Sequence, residues 1–380
     1  MFEQFRVWYE QRHAYARDWQ ARHEGGGEVV ATMCTYVPEE VLLAAGMLPV
    51  RVLGAHQVQN VAEPHIFGMF CPFSRDSLAQ GLLGRYDYCS GVVLAQSCLH
   101  YRQTFTSWRD HVGTVMWDYY LPMPNEVQSV FARARHRQEV AAFCQFIGTR
   151  RGTAVTRQAL QQAIDTMNEN RRLLHQLFAL RRSPAPPLSG TEALYVSLTA
   201  QFIDRTEHNA AMRGLLAALP ARSPADRPSA RNIRLMTIGS ENDDPALMAM
   251  VESLGATIVI DDQCSGTRNF WNEVRPHEDP LAAIADRYCA RPACPTKDFP
   301  VHTRFAHVLE LARSHGAQAA IFLQQKFCDP HEGDYPELKR HLERHGIPTL
   351  FLELDVTNPL GPLRTRIEAF LETLSEEDLF

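Results

Sequence analysis

The sequence predicts an α/β protein: two doubly wound, mainly parallel-sheet domains facing each other across a cleft, with a long-helix insertion. Three observations carry that expectation. Short apolar runs alternate with helical stretches, and alternating strand and helix gives a parallel sheet covered on both faces. Helices stop at a glycine and a strand starts at once, as at Gly46, Gly255, Gly316 and Gly346; glycine turns the chain at a helix C-terminus without a Cβ penalty. Finally, residues 219–232 are rich in proline, serine and alanine and read as a linker. They place an N-terminal domain at 1–225, with a helical segment at 127–216, and a C-terminal domain at 226–380.

In order along the chain, residues 1–24 have helical spacing and end at a triple glycine. No strand leads into those glycines and no Gly-Lys-Ser/Thr follows, so they lack the context of a phosphate loop. Residues 29–53 read strand, turn, helix, strand. Pro38 opens the helix, and Glu39 and Glu40 suit its positive end. Cys71-Pro opens a helix running to Gly84. Residues 91–95 form a buried strand that ends at Gln96-Ser-Cys98-Leu-His100, and residues 112–121 read as another strand. Residues 127–182 and 191–216 are long and helical. In the second half, residues 319–323 are a short apolar run that breaks at Asp329-Pro330, with a helix restarting near Tyr335-Pro336.

With 45% hydrophobic and 22% charged residues, the composition is that of a globular chain. The net charge of −6 and the lack of a basic tract argue against nucleic acid and anionic membrane as partners. The N-terminus lacks the apolar core of a signal peptide, and no apolar run approaches a membrane span, so the expected location is cytoplasmic. G-x-S-x-G, H-E-x-x-H, P-loop and G-x-G-x-x-G motifs are all missing.

The nine cysteines are an odd number and include no C-x-x-C pair. Cys71, Cys98 and Cys328 share one address, a strand end or helix start at the expected cleft, where open α/β sheets bind ligands. They read either as buried thiols or as three thiolate ligands that leave a metal centre one position open. Cys264, in Asp-Asp-Gln-Cys-Ser-Gly-Thr-Arg, is either a neighbour of that centre or part of a turn held by aspartate side chains. Cys34 lines the cleft beside a turn. Cys289 and Cys294 lack a matching second pair, and Cys89 and Cys144 read as core. His100 and His331 lie near proposed ligands and can donate a proton near neutral pH, or are loop histidines facing solvent.

Taken together, Cys34-Thr-Tyr-Val-Pro-Glu-Glu, Asp261-Asp-Gln-Cys-Ser-Gly-Thr-Arg, Cys294-Pro-Thr-Lys-Asp and Gln325-Lys-Phe-Cys-Asp-Pro-His-Glu resemble the 2-hydroxyacyl-CoA dehydratase / benzoyl-CoA reductase family. Lys326-Phe-Cys-Asp-Pro-His with Glu353-Leu-Asp-Val-Thr-Asn-Pro is most similar to the C (gamma) subunits of its reductase branch. The resemblance implies a [4Fe-4S] cluster on Cys71, Cys98 and Cys328, with one iron left open. It implies a homologous cluster-bearing partner subunit, and a separate ATP-hydrolysing pair that passes on electrons from ferredoxin. The implied reaction is two-electron reductive dearomatisation of benzoyl-CoA to a cyclic dienoyl-CoA. Radical dehydration of a 2-hydroxyacyl-CoA and a non-catalytic scaffold are the alternatives. His331 or His100 is the expected proton donor or relay, and Arg51, Arg75, Lys297 and Arg304 are the expected contacts for CoA phosphates.

Overall fold

A computed structural model describes residues 1–23, 27–226, 228–229, 232–298 and 302–377. Two of the three N-terminal glycines and three positions of the expected linker lie outside the described residues. Eight strands form two sheets: β1 Glu28–Met33, β2 Met47–Arg51, β3 Cys89–Ala95 and β4 Trp117–Leu121, then β5 Ile233–Gly239, β6 Ala256–Asp262, β7 Ala319–Gln325 and β8 Thr349–Leu354. The orders are β2-β1-β3-β4 and β6-β5-β7-β8, and every neighbouring pair is parallel. The second sheet therefore repeats the first. Each also carries a register irregularity in its equivalent strand, at Val29/Val30 and at Leu235/Met236.

β1, β2, β3, β6 and β7 are buried along nearly their whole length, as strands covered on both faces must be, whereas the edge strands β4 and β8 are largely half-buried. Gly91 shows how close the packing is: a Cβ there would stand 2.0 Å from the Trp117 ring.

Each sheet is covered partly by the other half of the chain. Leu173 and Leu177 of the helix Arg157–Ala179, Val196 of the helix Gly190–Thr199 and Leu188 from the segment between them pack with Met236, Ile238 and Val259 of the second sheet. Conversely, Ile284 and Tyr288 of the helix Pro280–Ala290 pack with Val30, Phe143 and Ile147 against the first. Gly190 sits so close to β6 that a Cβ would come 2.4 Å from that of Ile258. This exchange locks the two sheets in place.

Two local expectations need correction. The expected strand at 112–121 is confined to β4, because the helix Leu99–His111 runs up to residue 111 and a turn follows it. The last loop does not wait until Tyr335 to become helical. The helix Asp329–Glu343 starts directly after Cys328, with Pro330 in its first turn, where proline is tolerated, and Pro336 inside it. Among the described residues, no helix is long and apolar enough to cross a membrane.

Candidate metal centre

The C-terminal ends of the two sheets meet. Arg51, at the end of β2, donates to Glu241, just past β5, at 3.3 Å, and both side chains are buried. Beyond them, Asp243 accepts from the Gly54 amide at 2.7 Å and pairs with His56 Nε2 at 2.9 Å. Asp355, after β8, takes Arg75 from the first half at 3.0 Å and Lys326 from its own half at 3.1 Å. The expected cleft is thus a polar seam at the strand ends where such sheets bind ligands.

Cys71, Cys98 and Cys328 lie at this seam, and each is the N-cap residue of a helix: Pro72–Leu82, Leu99–His111 and Asp329–Glu343. The sequence explains the geometry for two of them, since Pro72 and Pro330 fall in the first turn just after the cysteine. None of the three makes a side-chain capping hydrogen bond, so three helix N-termini turn partial positive charge toward the thiols. Cys71 and Cys328 are buried and Cys98 is half-buried. Burial raises all three thiols above the ordinary cysteine range. Cys98 is raised further by Cys71, and Cys328 by Cys71 and Cys98, so the two halves bring these sulfurs within electrostatic reach of one another.

Among the described residues, no three His, Cys, Asp or Glu side chains converge closely enough to hold a single metal ion. A cuboidal cluster presents its irons at separate corners, so its thiolates need not share a point. Three soft donors facing three helix N-termini, in a buried seam, suit an anionic iron–sulfur group. Binding would replace the thiol protons that burial now retains.

The histidines occupy different positions. His100 Nδ1 accepts from the Cys71 amide at 3.2 Å, its ring stacks on Phe70 at 4.4 Å, and its Nε2 lies 3.7 Å from Asp329 across the seam. Burial lowers its pKa, against the pull of Asp329 and Glu332. It therefore bridges the Cys71 and Cys328 loops with Nε2 facing a carboxylate. His331 is buried in the first turn after Cys328, so it is not a loop histidine facing solvent. Its Nε2 has no partner among the described residues, and burial together with Arg268 and Arg304 keeps the ring neutral.

Cys264 is held by its amide to the Ser240 carbonyl at 2.8 Å, and its sulfur accepts from Arg268 Nη2 at 3.3 Å. Burial outweighs Arg268 and pushes this thiol up to about 12. Cys34 sits in the turn after β1 with a left-handed φ of 72°. The Cys294 amide donates to Tyr36 at 3.1 Å. Cys89 and Cys144 are core, as expected, and Cys289 packs in the same apolar cluster as Cys144.

The expected phosphate contacts are not assembled at a surface. Arg51, Lys297 and Arg304 are buried, and Arg304 is held between Asp262 and Asp334. Arg75 is partly exposed but already paired with Asp355. The sequence reading passed over Arg268, Glu241, Asp243 and His56. The only available signal was the run Glu241-Asn-Asp-Asp directly after a strand.

Two repeated parallel sheets meeting at their strand ends, with three cysteines at the helix starts along that seam, define the class of protein: a two-lobed α/β protein with its candidate site between the lobes. Residues 34–374 match the family described as 2-hydroxyglutaryl-CoA dehydratase, D-component, and the chain belongs to that family. It is 27% identical over 353 residues to the (R)-phenyllactyl-CoA dehydratase beta subunit of Clostridium sporogenes, covering 92% of each chain. It is 24% identical to the (R)-2-hydroxyglutaryl-CoA dehydratase beta subunit of Acidaminococcus fermentans, over 92% of this chain and 93% of the relative. A benzoyl-CoA reductase subunit of Thauera aromatica is also 24% identical, over 94% of each chain. All three relatives are named as subunits of dehydratases or a reductase whose substrates are CoA thioesters. The resemblance read from the sequence is therefore shown at the level of the family.

Proposed function

We propose that this chain is the cluster-holding subunit of an enzyme acting on a CoA thioester, with Cys71, Cys98 and Cys328 as ligands of a [4Fe-4S] cluster. The observation that carries the reading is the placement of these three cysteines as helix N-caps at the facing ends of the two sheets. When bound, such a group supplies low-potential electron transfer and an open iron site that can polarise a carbonyl. The chain's own residues supply the surroundings. The three helix N-termini stabilise negative charge, and the seam of Arg51–Glu241 and His56–Asp243 closes the site against water. His100, with one nitrogen fixed by the Cys71 amide and the other facing Asp329, is placed to move a proton at Nε2. His331, neutral and without a partner at Nε2 among the described residues, is the second proton-handling group proposed.

Among family reactions, dehydration of a 2-hydroxyacyl-CoA is the first choice. It is the reaction named for the matching family and for the relative at 27% identity. Reductive dearomatisation of benzoyl-CoA, with electrons from ferredoxin, is the second. The Lys326-Phe-Cys-Asp-Pro-His segment and the relative from Thauera support it. Either reading calls for a homologous cluster-bearing subunit and an ATP-hydrolysing electron-activating pair in the cytoplasm.

Anaerobic purification with iron and sulfide quantitation and EPR tests the cluster. Assay of the assembled complex with a 2-hydroxyacyl-CoA and with benzoyl-CoA, plus reductant and ATP, then separates the two reactions. A colourless, iron-free protein that stays so after reconstitution would leave only a scaffold role.

A further inference from the structure

Two cavities flank the helix Pro280–Ala290, and none of Cys71, Cys98 and Cys328 lines either. The first, of about 450 Å³, lies among that helix, the helix Ala132–Arg151 and residues 271–277. The second, of about 360 Å³, is walled by residues 289–293 and the start of the helix Arg304–Ser314. Arg133, Trp271 and Ala290 line both, so the two adjoin at a guanidinium and an indole. Each has the size of a small-molecule site.

The lining carries more positive charge than the chain itself balances. Arg287 and Arg291 are each 3% exposed, and neither has a carboxylate within ion-pair distance among the described residues. Arg287 gives Nε to the Asn272 carbonyl at 3.0 Å and Nη2 to the Asn269 carbonyl at 2.5 Å, and Arg291 gives both Nη groups to Thr35. These neutral acceptors fix the two forks without neutralising them. Glu40 is felt by Arg287 but is already taken by Arg171 at 2.5 Å and Tyr288 at 3.0 Å. Burial, then Arg171, lowers the Arg287 pKa to about 9. The carboxylates lining the first cavity are taken as well, Asp286 by Arg137 at 2.5 Å and Glu273 by Arg172 at 3.3 Å. In the second, Arg304 is held by Asp262 and Asp334. The C-terminus of the helix Pro280–Ala290 offers only about half a negative charge. Against it stand two buried guanidinium groups and the exposed Arg133 and Arg275. Buried cations without matching carboxylates require an anion nearby.

The same walls hold polar atoms whose hydrogen bonds are unmet. Asn272 Oδ1 in the first cavity, and Arg291 Nε and His307 Nε2 in the second, are buried without a partner among the described residues. Asn272 gives Nδ2 to the Arg287 carbonyl at 3.1 Å, which leaves Oδ1 to accept from a ligand. An occupant that meets these groups brings anionic oxygens for the arginines, a hydroxyl for Asn272 and a flat surface for Trp271. Guanidinium forks match phosphate oxygens, a ribose supplies the hydroxyl, and a base supplies the flat surface. We infer that the double cavity binds a nucleoside diphosphate, either free or as the nucleotide end of a coenzyme A thioester. The site requires no iron, so its failure would leave the cluster reading untouched.

The full chain is titrated calorimetrically with ADP, coenzyme A and inorganic pyrophosphate. The expected result is one ADP or one coenzyme A per chain, bound about 10-fold or more tightly than pyrophosphate. Arg133→Glu and Arg275→Glu alter exposed side chains and should leave the thermal transition in place while weakening binding about 10-fold or more. Arg287→Lys keeps the charge, loses the fork and should weaken binding by a similar factor. A rise in the thermal transition of the wild type with ADP or coenzyme A is a readout that needs no variant. Tighter binding of coenzyme A than of ADP assigns the site to the thioester's nucleotide end; equal or tighter binding of ADP assigns it to a free nucleotide. No binding of either at about 1 mM overturns the inference. So does pyrophosphate bound as tightly as ADP, because Trp271 and Asn272 would then contribute nothing. Binding of ADP and coenzyme A that is unchanged in all three variants overturns it too.

Discussion

The replacement Asp243→Ala tests how the two halves are held together. Asp243 is buried, accepts from the Gly54 amide at 2.7 Å and pairs with His56 at 2.9 Å, while its backbone carbonyl accepts from Tyr9. Burial disfavours charge on His56, but Asp243, then Asp244 and Asp76, outweigh it and raise its pKa from 6.5 to about 10. Burial likewise works against the Asp243 carboxylate, and His56 with the Gly54 amide brings its pKa below the usual 3.8. Removing one partner of a buried pair costs about 3–5 kcal/mol. His56 can lose its proton once the carboxylate is gone, so about 3 kcal/mol is expected near pH 6. The raised pKa of His56 means its stabilisation is complete below pH 6.5 and is lost as pH rises through about 10. The Asp243 contribution is complete above 3.8 and is lost on acidification through its lowered value. The stability difference between wild type and Asp243→Ala, from urea denaturation, should therefore be largest between about pH 4 and 6.5 and shrink steadily toward pH 10. A difference that stays flat from pH 6 to 10, or never exceeds about 1 kcal/mol, would refute an ion pair at this position.

Further outcomes follow from the same geometry. Cys328→Ser should abolish iron retention while the chain stays soluble; full iron content in that variant would exclude Cys328 as a ligand. Gly91→Ala should destabilise the chain by about 2 kcal/mol or more, because its methyl group would enter the Trp117 ring, and an unchanged urea midpoint would contradict the packing of β3 on β4. His13 and His208 are lowered to about 3, and His136 and His315 to about 4, chiefly by burial, so they fold uncharged. Because the unfolded chain binds their protons first, stability should fall as pH drops below 6.5, by up to about 1.4 kcal/mol per unit for each histidine. Equal stability at pH 7 and pH 5 would count against their burial as neutral rings. His100→Phe keeps a ring to stack on Phe70 but removes both nitrogens. It should lower turnover by about 10²-fold or more with iron content unchanged, if His100 carries a proton; undiminished turnover would remove it from the mechanism.

How much of this was legible in the sequence depends on the distance over which each signal acts. Glycine after a helix, proline after a cysteine and apolar runs of strand length are local, so the alternation of strand and helix and the helix start at Cys71 could be read directly, whereas the helix that starts after Cys328 was expected only near Tyr335. The same local signs placed Cys98 at a strand end and joined it to the other two by shared address. The interlocking of the halves could not be read. Helix Pro280–Ala290 covers the first sheet and the long helices cover the second because each sheet has an apolar face its own half leaves open, and burial has no preference for sequence order. Nor could the sequence show which of Arg51, Lys297 and Arg304 would be exposed, since a charged residue reads alike on a surface and in a buried pair. The sequence by itself determined the elements and the addresses of the thiols; the tertiary structure decided what faces them, because the partners of a buried charge come from wherever the fold brings the chain back.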